Sequence, residues 1–269
     1  MVARRNPVVP RRTVRVDGCP VQTTVTTRPA VARRWLYTTL WRQRRRLHPA
    51  GGLTVGLGVQ WTPPSRRLPA GVEPQPGTLQ LCCGNRCLVF QLARVGGGGG
   101  AVPQILRRFL ADARVTFAGY YVASDCRKLR AHHGLEVEST LELCGAGGGT
   151  GRPSMASMAR RLLGIRHGVE KPMKLSRSRW DGAKLSREQV RYAAADAYIS
   201  CRLGVHLRCR AAVHVADQDD ESEVEYSDDD EHGGWGRFSG FLERVSGDQQ
   251  DWEASVDDHV YDSMCSVVY

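Results

Sequence analysis

No apolar run in the sequence approaches the ~18 residues that a membrane-spanning helix needs, and helical transmembrane segments are excluded on that ground. The start also lacks an apolar stretch: Met1 is followed by Arg4, Arg5, Arg11 and Arg12. That pattern is not a secretory signal. With no such signal, the nine cysteines read as free thiols in a reducing compartment rather than as a disulfide framework. Cys82, Cys83 and Cys87 sit close in sequence, but no second paired cluster supplies a fourth ligand, and adjacent residues on a strand face opposite ways, so a zinc site is not expected. The five-glycine run Gly96–Gly100 lacks the following Lys-Ser/Thr of a phosphate-binding P-loop and reads as a linker. Aromatic residues make up only 7% of the chain, so base stacking is not expected to dominate any nucleic-acid contact.

What is present is charge, unevenly placed. Residues 217–269 hold 17 of the 28 acids and only two basic residues, Arg237 and Arg244, and so carry −15. Residues 1–216 are left with 36 basic and 11 acidic residues, or +25. A body so basic suggests a polyanionic partner, nucleic acid first. The division expected is a disordered basic N-terminus over 1–13, a folded domain over 14–210, and an acidic, disordered tail over 211–269. The basic run Arg42, Arg44, Arg45 and Arg46 fits the solvated end of a helix or a nuclear-import patch, and the expected location is nucleus or cytosol rather than an organelle.

Periodicity places a β-prone run at Val21–Thr27 and a helix at Pro29–Arg46, with Pro in its first turn and an apolar stripe of Val31, Trp35, Leu36 and Leu40. Leu53–Trp61 suits a central strand, and a Pro/Gly-rich loop follows over 63–77. Thr78–Cys83 and Cys87–Leu92 form a hairpin around Gly84-Asn85-Arg86. Beyond the glycine run come a helix over 102–112, a strand over 115–122, and helices over 124–133 and 154–163. The longest helix is expected over 186–208, opened by a capping box in which Gln189 answers Ser186. The sequence is that of an α/β sandwich. On the last helix, Tyr192 and Asp196 are four residues apart and share a face, with small alanines between them that let the helix lie close to a sheet.

The stretches LTVGLGVQW, TLQLCCGNRCLVFQL, FAGYYVASDCRKL, SRSRW and LSREQVRYAAADAY, in this order, resemble the DEDD superfamily of 3′–5′ exonucleases. The resemblance is to its tyrosine-containing branch, which includes ribonuclease D and the Werner-syndrome-type exonuclease domain, and runs from about residue 14 to residue 208. It implies a ribonuclease-H-like fold, a mixed sheet flanked by helices on both faces. It also implies two divalent metals, Mg²⁺ or Mn²⁺, held between four carboxylates, with hydrolysis of a phosphodiester at a 3′ end. On this resemblance Asp125 takes the second-motif carboxylate and metal ligand, Asp196 the third, and Tyr192 the phenol that orients the attacking water.

The first motif departs from the family. Where members carry Asp-x-Glu on one face of the first central strand, this chain has Gly58-Val59-Gln60. No Asp or Glu occurs from residue 18 to residue 72, so no slip of register supplies the missing pair. Hard cations need anionic oxygen ligands. If each lost ligand costs what one transition-state-stabilising group does, roughly 10²-fold or more, losing two is crippling. The expectation is a nucleic-acid-binding member of the family whose hydrolysis is weak or lost. The alternatives are an active Mg²⁺/Mn²⁺-dependent 3′–5′ exonuclease on DNA or RNA, and an interaction scaffold that never touches nucleic acid.

The acidic segment generates a prediction of its own. Ten acids lie within the 15 residues 217–231, and such a run can compete with a phosphate backbone for the basic body. Truncation after about residue 210 should tighten single-stranded oligonucleotide affinity, most of all near 0.01 M salt, where charges interact over ~30 Å. Equal affinities with and without the segment would mark it as a solubilising tail only.

Overall fold

The computed structural model describes residues 11–47, 52–95, 101–146, 152–168 and 172–221. The chain divides into a body, Met1–Leu207, and a C-terminal unit that begins at Arg208. The expectations for residues 1–10, the glycine run and the acidic segment beyond Glu221 fall outside the described residues.

The body is built on a seven-stranded mixed sheet in the order β1-β2-β5-β4-β3-β6-β7. Its strands are β1 (Arg11–Val16), β2 (Cys19–Thr26), β3 (Leu53–Gln60), β4 (Thr78–Cys83), β5 (Arg86–Phe90), β6 (Val115–Gly119) and β7 (Ser139–Glu142). The helices are α1 (Pro29–Arg42), α2 (Gln104–Leu110), α3 (Val122–His133), α4 (Met155–Leu163), α5 (Met173–Ser176) and α6 (Arg187–Glu221). β3 pairs antiparallel with β4 and parallel with β6, and all eight of its residues are buried. This is why it reads as a nearly continuous apolar run.

Period two along β3 separates two cores. Leu53, Val55, Leu57 and Val59 pack with Trp35 and Leu36 of α1, Leu106, Phe109 and Leu110 of α2, and Leu129 of α3. The opposite face packs under α4 and α6, around Met155, Met158, Trp180 and the run Ala193, Ala194, Ala195, Ala197. There β3 presents Gly56 and Gly58. A Cβ on Gly56 would overlap the Ala197 carbonyl oxygen and stand 2.6 Å from the Cys201 amide nitrogen. Farther along α6, Gly204 lies against Ala118 and Thr54, where a side chain would again have no room. Helix and strand thus meet backbone to backbone.

Several expectations shift. Arg11–Val16, expected to be partly within a disordered arm, is a strand paired with β2 across Asp17-Gly18. Both turn residues have positive φ (48° and 83°), the geometry of a tight two-residue hairpin for which Asp-Gly is the favoured dipeptide. α1 ends at Arg42 rather than Arg46, and Arg44 folds back to donate to the Trp41 carbonyl at 2.9 Å. The short edge strand β7 and the single-turn α5 were not foreseen. The hairpin turn between β4 and β5 is only Gly84-Asn85, because Arg86 already pairs with Cys83. The capping box is present: Gln189 N–H donates to Ser186 Oγ at 3.1 Å, and Ser186 N–H to Gln189 Oε1 at 2.9 Å. α6 runs past residue 208 to Glu221. No Gly or Pro stops it after Gly204, and Ala211, Ala212 and Ala216 favour the helix.

Cys82, Cys83 and Cys87 are buried, with Cys82 and Cys87 in one core and Cys83 in the other. Burial pushes the Cys82 and Cys83 thiols well above the ordinary thiol range, so they behave as small hydrophobes.

Glycine-to-alanine exchanges on β3 should separate close packing from mere smallness. Gly56→Ala forces backbone apart and should cost about 1–3 kcal/mol or more, as overpacking does. At Gly58 the nearest atoms to an added Cβ are the side-chain ends Gln80 Oε1 (2.9 Å) and Asp196 Oδ2 (3.1 Å), which can yield. Gly58→Ala should therefore cost much less, and urea unfolding of the two variants compares them.

Candidate active site

The site lies where β3 outruns β6. Pairing between them covers Leu53–Gly56, so backbone donors farther along that edge of β3 need another acceptor. Asp125 supplies one: Val59 N–H donates to its Oδ2 at 3.1 Å. Asp125 reaches there from the first turn of α3, close behind β6 rather than at the end of a strand reaching Val122. The turn between them is made by Tyr121, a non-glycine residue with φ +62°. Its strained backbone is held by an N–H donated to Glu142 Oε1 at 2.8 Å, and its ring is half exposed.

Asp196 comes from the other side, on α6. Gln60 Nε2 points to its Oδ2 at 3.5 Å, a long and weak hydrogen bond. The place a Cβ would take on Gly58 is 3.1 Å from the same oxygen. The structure therefore brings Asp125, Asp196, Gly58 and Gln60 together around the end of β3. Tyr192, one turn before Asp196, lines with it a cavity of about 220 Å³ whose apolar walls are Met155, Leu175 and Ile199. The Tyr192 ring is buried against Trp180, centroids 5.9 Å apart.

Three participants escaped the sequence reading. Lys128 stands one turn beyond Asp125 and is 2% exposed, although it is a lysine. Its Nζ donates to the Ser124 carbonyl (3.1 Å) and hydroxyl (2.6 Å) and lies 4.3 Å above the ring of Trp61. Burial lowers its pKa; Asp125 and Glu73 oppose that shift, while Arg127 adds to it. Gln80 pairs with Gly58 across the β3–β4 ladder, and its Oε1 lies 2.9 Å from the Cβ position that glycine leaves empty. Trp61 directly follows Gln60, so its place at the site could have been read from the strand.

Two dications do not fit these residues. Gly58 offers no ligand, and Gln60 turns a donor, its Nε2, toward Asp196. Asp125 spends one oxygen on a backbone N–H and has the buried ammonium of Lys128 nearby. Among the described residues no group of three His, Cys, Asp or Glu side chains converges as a metal site.

A mixed sheet whose central strand, following helix and last helix converge in this way is ribonuclease-H-like. The solved structures agree on the fold: Escherichia coli RNase D superposes with a TM-score of 0.52 at 17% identity, covering 74% of this chain and 49% of that one. Trypanosoma brucei RNase D gives 0.54 at 15% identity, covering 69% and 56%. Residues 72–210 match the 3′-5′ exonuclease family, and the chain belongs to that family. The matched stretch includes Asp125, Tyr192 and Asp196 and begins after the strand that carries Gly58 and Gln60. Among curated proteins, an Arabidopsis thaliana 3′-5′ exonuclease is 29% identical over 155 residues, 55% of this chain and 50% of that protein. Mouse exonuclease 3′-5′ domain-containing protein 2 is 33% identical over 127 residues, 45% of this chain and 19% of that protein. The chain thus spans half or less of these relatives.

Asp125 has structural duties here that a carboxylate kept for chemistry alone would not have. Asp125→Ala leaves a buried Val59 N–H without its acceptor and Lys128 with less compensation. It should lower stability by about 1–3 kcal/mol, measured as a drop in the urea midpoint. An unchanged midpoint would show that the two contacts contribute nothing.

Proposed function

We propose that this protein binds nucleic-acid 3′ ends on a 3′–5′ exonuclease fold while its own hydrolysis is very weak or lost, a pseudoenzyme of the Werner-type branch acting in the nucleus or cytosol. One observation carries this reading: the β3 face that looks at Asp196 bears Gly58 and Gln60, so two carboxylates stand where the resemblance calls for four. Family membership and the basic body support a nucleic-acid ligand.

In this reading the cavity beside Tyr192 and Asp196 receives the terminal nucleotide. The Tyr192 phenol and Arg191 orient its polar atoms, and Met155, Leu175 and Ile199 exclude water from its apolar face. Tyr121 stands exposed one turn before Asp125, so stacking is available beside the site despite the chain's few aromatics.

The test restores the first motif. Gly58→Asp and Gln60→Glu together should bring Mg²⁺- or Mn²⁺-dependent shortening of a 3′-labelled single strand. The Gly58 geometry permits it, since the atoms an added Cβ meets are side-chain ends. Either change alone should do far less, because groups sharing one metal cluster act as a unit. A folded double variant that leaves the strand intact would falsify the view that only the first motif has decayed. If the unmodified protein shortens the strand and Asp196→Ala abolishes this, the protein is an active nuclease and the proposal fails.

A further inference from the structure

Four arginines gather in a groove beside β1, which adjoins the site. Arg12, Thr13, Val14 and Arg15 form one wall, Arg187, Val190 and Arg191 of α6 the other, enclosing about 680 Å³. All four arginines are exposed, and no described carboxylate ion-pairs with any of them. Arg15 spends one N–H on the Gly18 carbonyl at 3.2 Å.

Two acids lie nearby, and neither closes the groove. Glu188 belongs to the adjoining cavity and is lowered by the backbone N–H and Ser186 hydroxyl it accepts from, with a smaller contribution from Arg187. Asp17 is occupied by the backbone N–H groups of Arg166 and His167 at 3.3 and 3.1 Å, which fasten the β1–β2 turn to the segment before Gly168. The N–H groups at the start of α6 are in part satisfied by the capping box, so the attraction comes from guanidinium groups rather than from a free helix end.

Arg191 joins this groove to the candidate site. It lines both cavities, with Nη2 beside Gly168, and the next residue is Tyr192. Arg187 and Arg191 are four residues apart, about 6 Å along the helix and on one face. Guanidinium forks facing an open groove suit phosphate oxygens, which they can bind in pairs. β1 is also one of the sheet's two edge strands, where arginines discourage pairing with another strand.

We propose that this arginine groove is a phosphate-backbone track for single-stranded nucleic acid, holding the nucleotides that precede a 3′ end seated at Tyr192 and Asp196. The assignment rests on the reading of the site as a 3′-end pocket. An acidic peptide shares the charge but not the continuity with that pocket.

The experiment uses the full chain and fluorescent single strands two and twelve nucleotides long, titrated between 50 and 200 mM salt. Arg12→Gln/Arg15→Gln removes one wall without touching Tyr192 or Asp196. Arg94→Gln/Arg108→Gln removes the same charge from exposed positions on elements of the other core. The groove variant should weaken twelve-nucleotide binding several-fold at 50 mM salt, leave the dinucleotide unaffected, and flatten the slope of log K against log salt by about 1.4, or 0.7 for each lost phosphate contact. The control pair should change the slope much less.

Equal effects of the two pairs on the longer strand would overturn the groove and leave the 3′-end reading standing. So would a groove variant that loses only poly-glutamate binding, since that would make the occupant an acidic peptide. If the unmodified protein fails to bind either strand at 50 mM salt, the 3′-end reading falls and the groove with it. A far-ultraviolet circular dichroism spectrum identical to that of the unmodified protein shows that the edge strand has survived; if it differs, Arg187→Gln on α6 replaces the β1 pair, with a slope change of about 0.7 expected, and an unchanged slope overturns the groove.

Discussion

Everything at the site depends on how closely α6 can lie on β3. An ordinary helix–sheet contact keeps backbones apart by the thickness of two side chains. Here Gly56 and Ala197 remove nearly all of that thickness, and Gly204 against Ala118 does the same farther along. Asp196 sits one residue before Ala197, so the approach that brings Ala197 onto the strand carries the carboxylate to the strand's last residues. The same approach lets Tyr192 reach Trp180 and line the cavity beside it. A side chain at Gly56 would displace the helix and with it both groups.

Against that constraint the two glycines of β3 have different meanings. Gly56 is there because there is no room, its neighbours being backbone atoms. Gly58 has room, bounded by the movable ends of Gln80 and Asp196. Steric need therefore explains Gly56 but not Gly58. What Gly58 lacks, against the motif that the resemblance calls for, is charge: a carboxylate there would lie against Asp196. Gln60 has the same character, offering an amide that can donate to Asp196 where that motif has an anion. The groups present offset part of the remaining charge: Asp125 accepts from a backbone N–H and has Lys128 nearby, and the Gln60 amide approaches Asp196.

Much of this was legible in the sequence, and the reasons for the rest are local. β3, the β4–β5 hairpin and the capping box of α6 announce themselves because each has strong short-range chemistry: an unbroken apolar run, a Gly-Asn turn and a reciprocal Ser/Gln pair. That Tyr192 and Asp196 share a face of α6 followed from helical period, while their roles came only with the resemblance. β1 was hidden by its arginines, since an edge strand needs only Val14 and Val16 on the buried side and leaves the rest to solvent. Its Asp17-Gly18 turn was nevertheless a readable signal. Lys128 could not be foreseen, because lysines are rarely buried and its shelter is assembled from Trp61, Ser124 and the distant Glu73. The groove shared by β1 and α6 joins residues some 175 positions apart in the chain, and no local pattern reports such a meeting.

The absence of carboxylates at positions 58 and 60 also bears on what the site offers to a phosphate. A site with four carboxylates and no metal repels an anionic end strongly, and its attraction for substrate arrives with the dications. Here two carboxylates remain and a buried ammonium stands beside one of them, so the approach of a phosphate meets far less opposition without any metal. Interactions that hold ground state and transition state equally tighten binding without speeding a reaction. On the proposed reading, a fold without that pair but strongly basic over residues 1–216 has its binding energy available for retention of a strand. In an active nuclease the same energy would be divided between capture and release of a shortened product. In the reading proposed above, Gly58 and Gln60 therefore do more than withhold an activity: they suit the surface to holding the end of a strand rather than to passing it through.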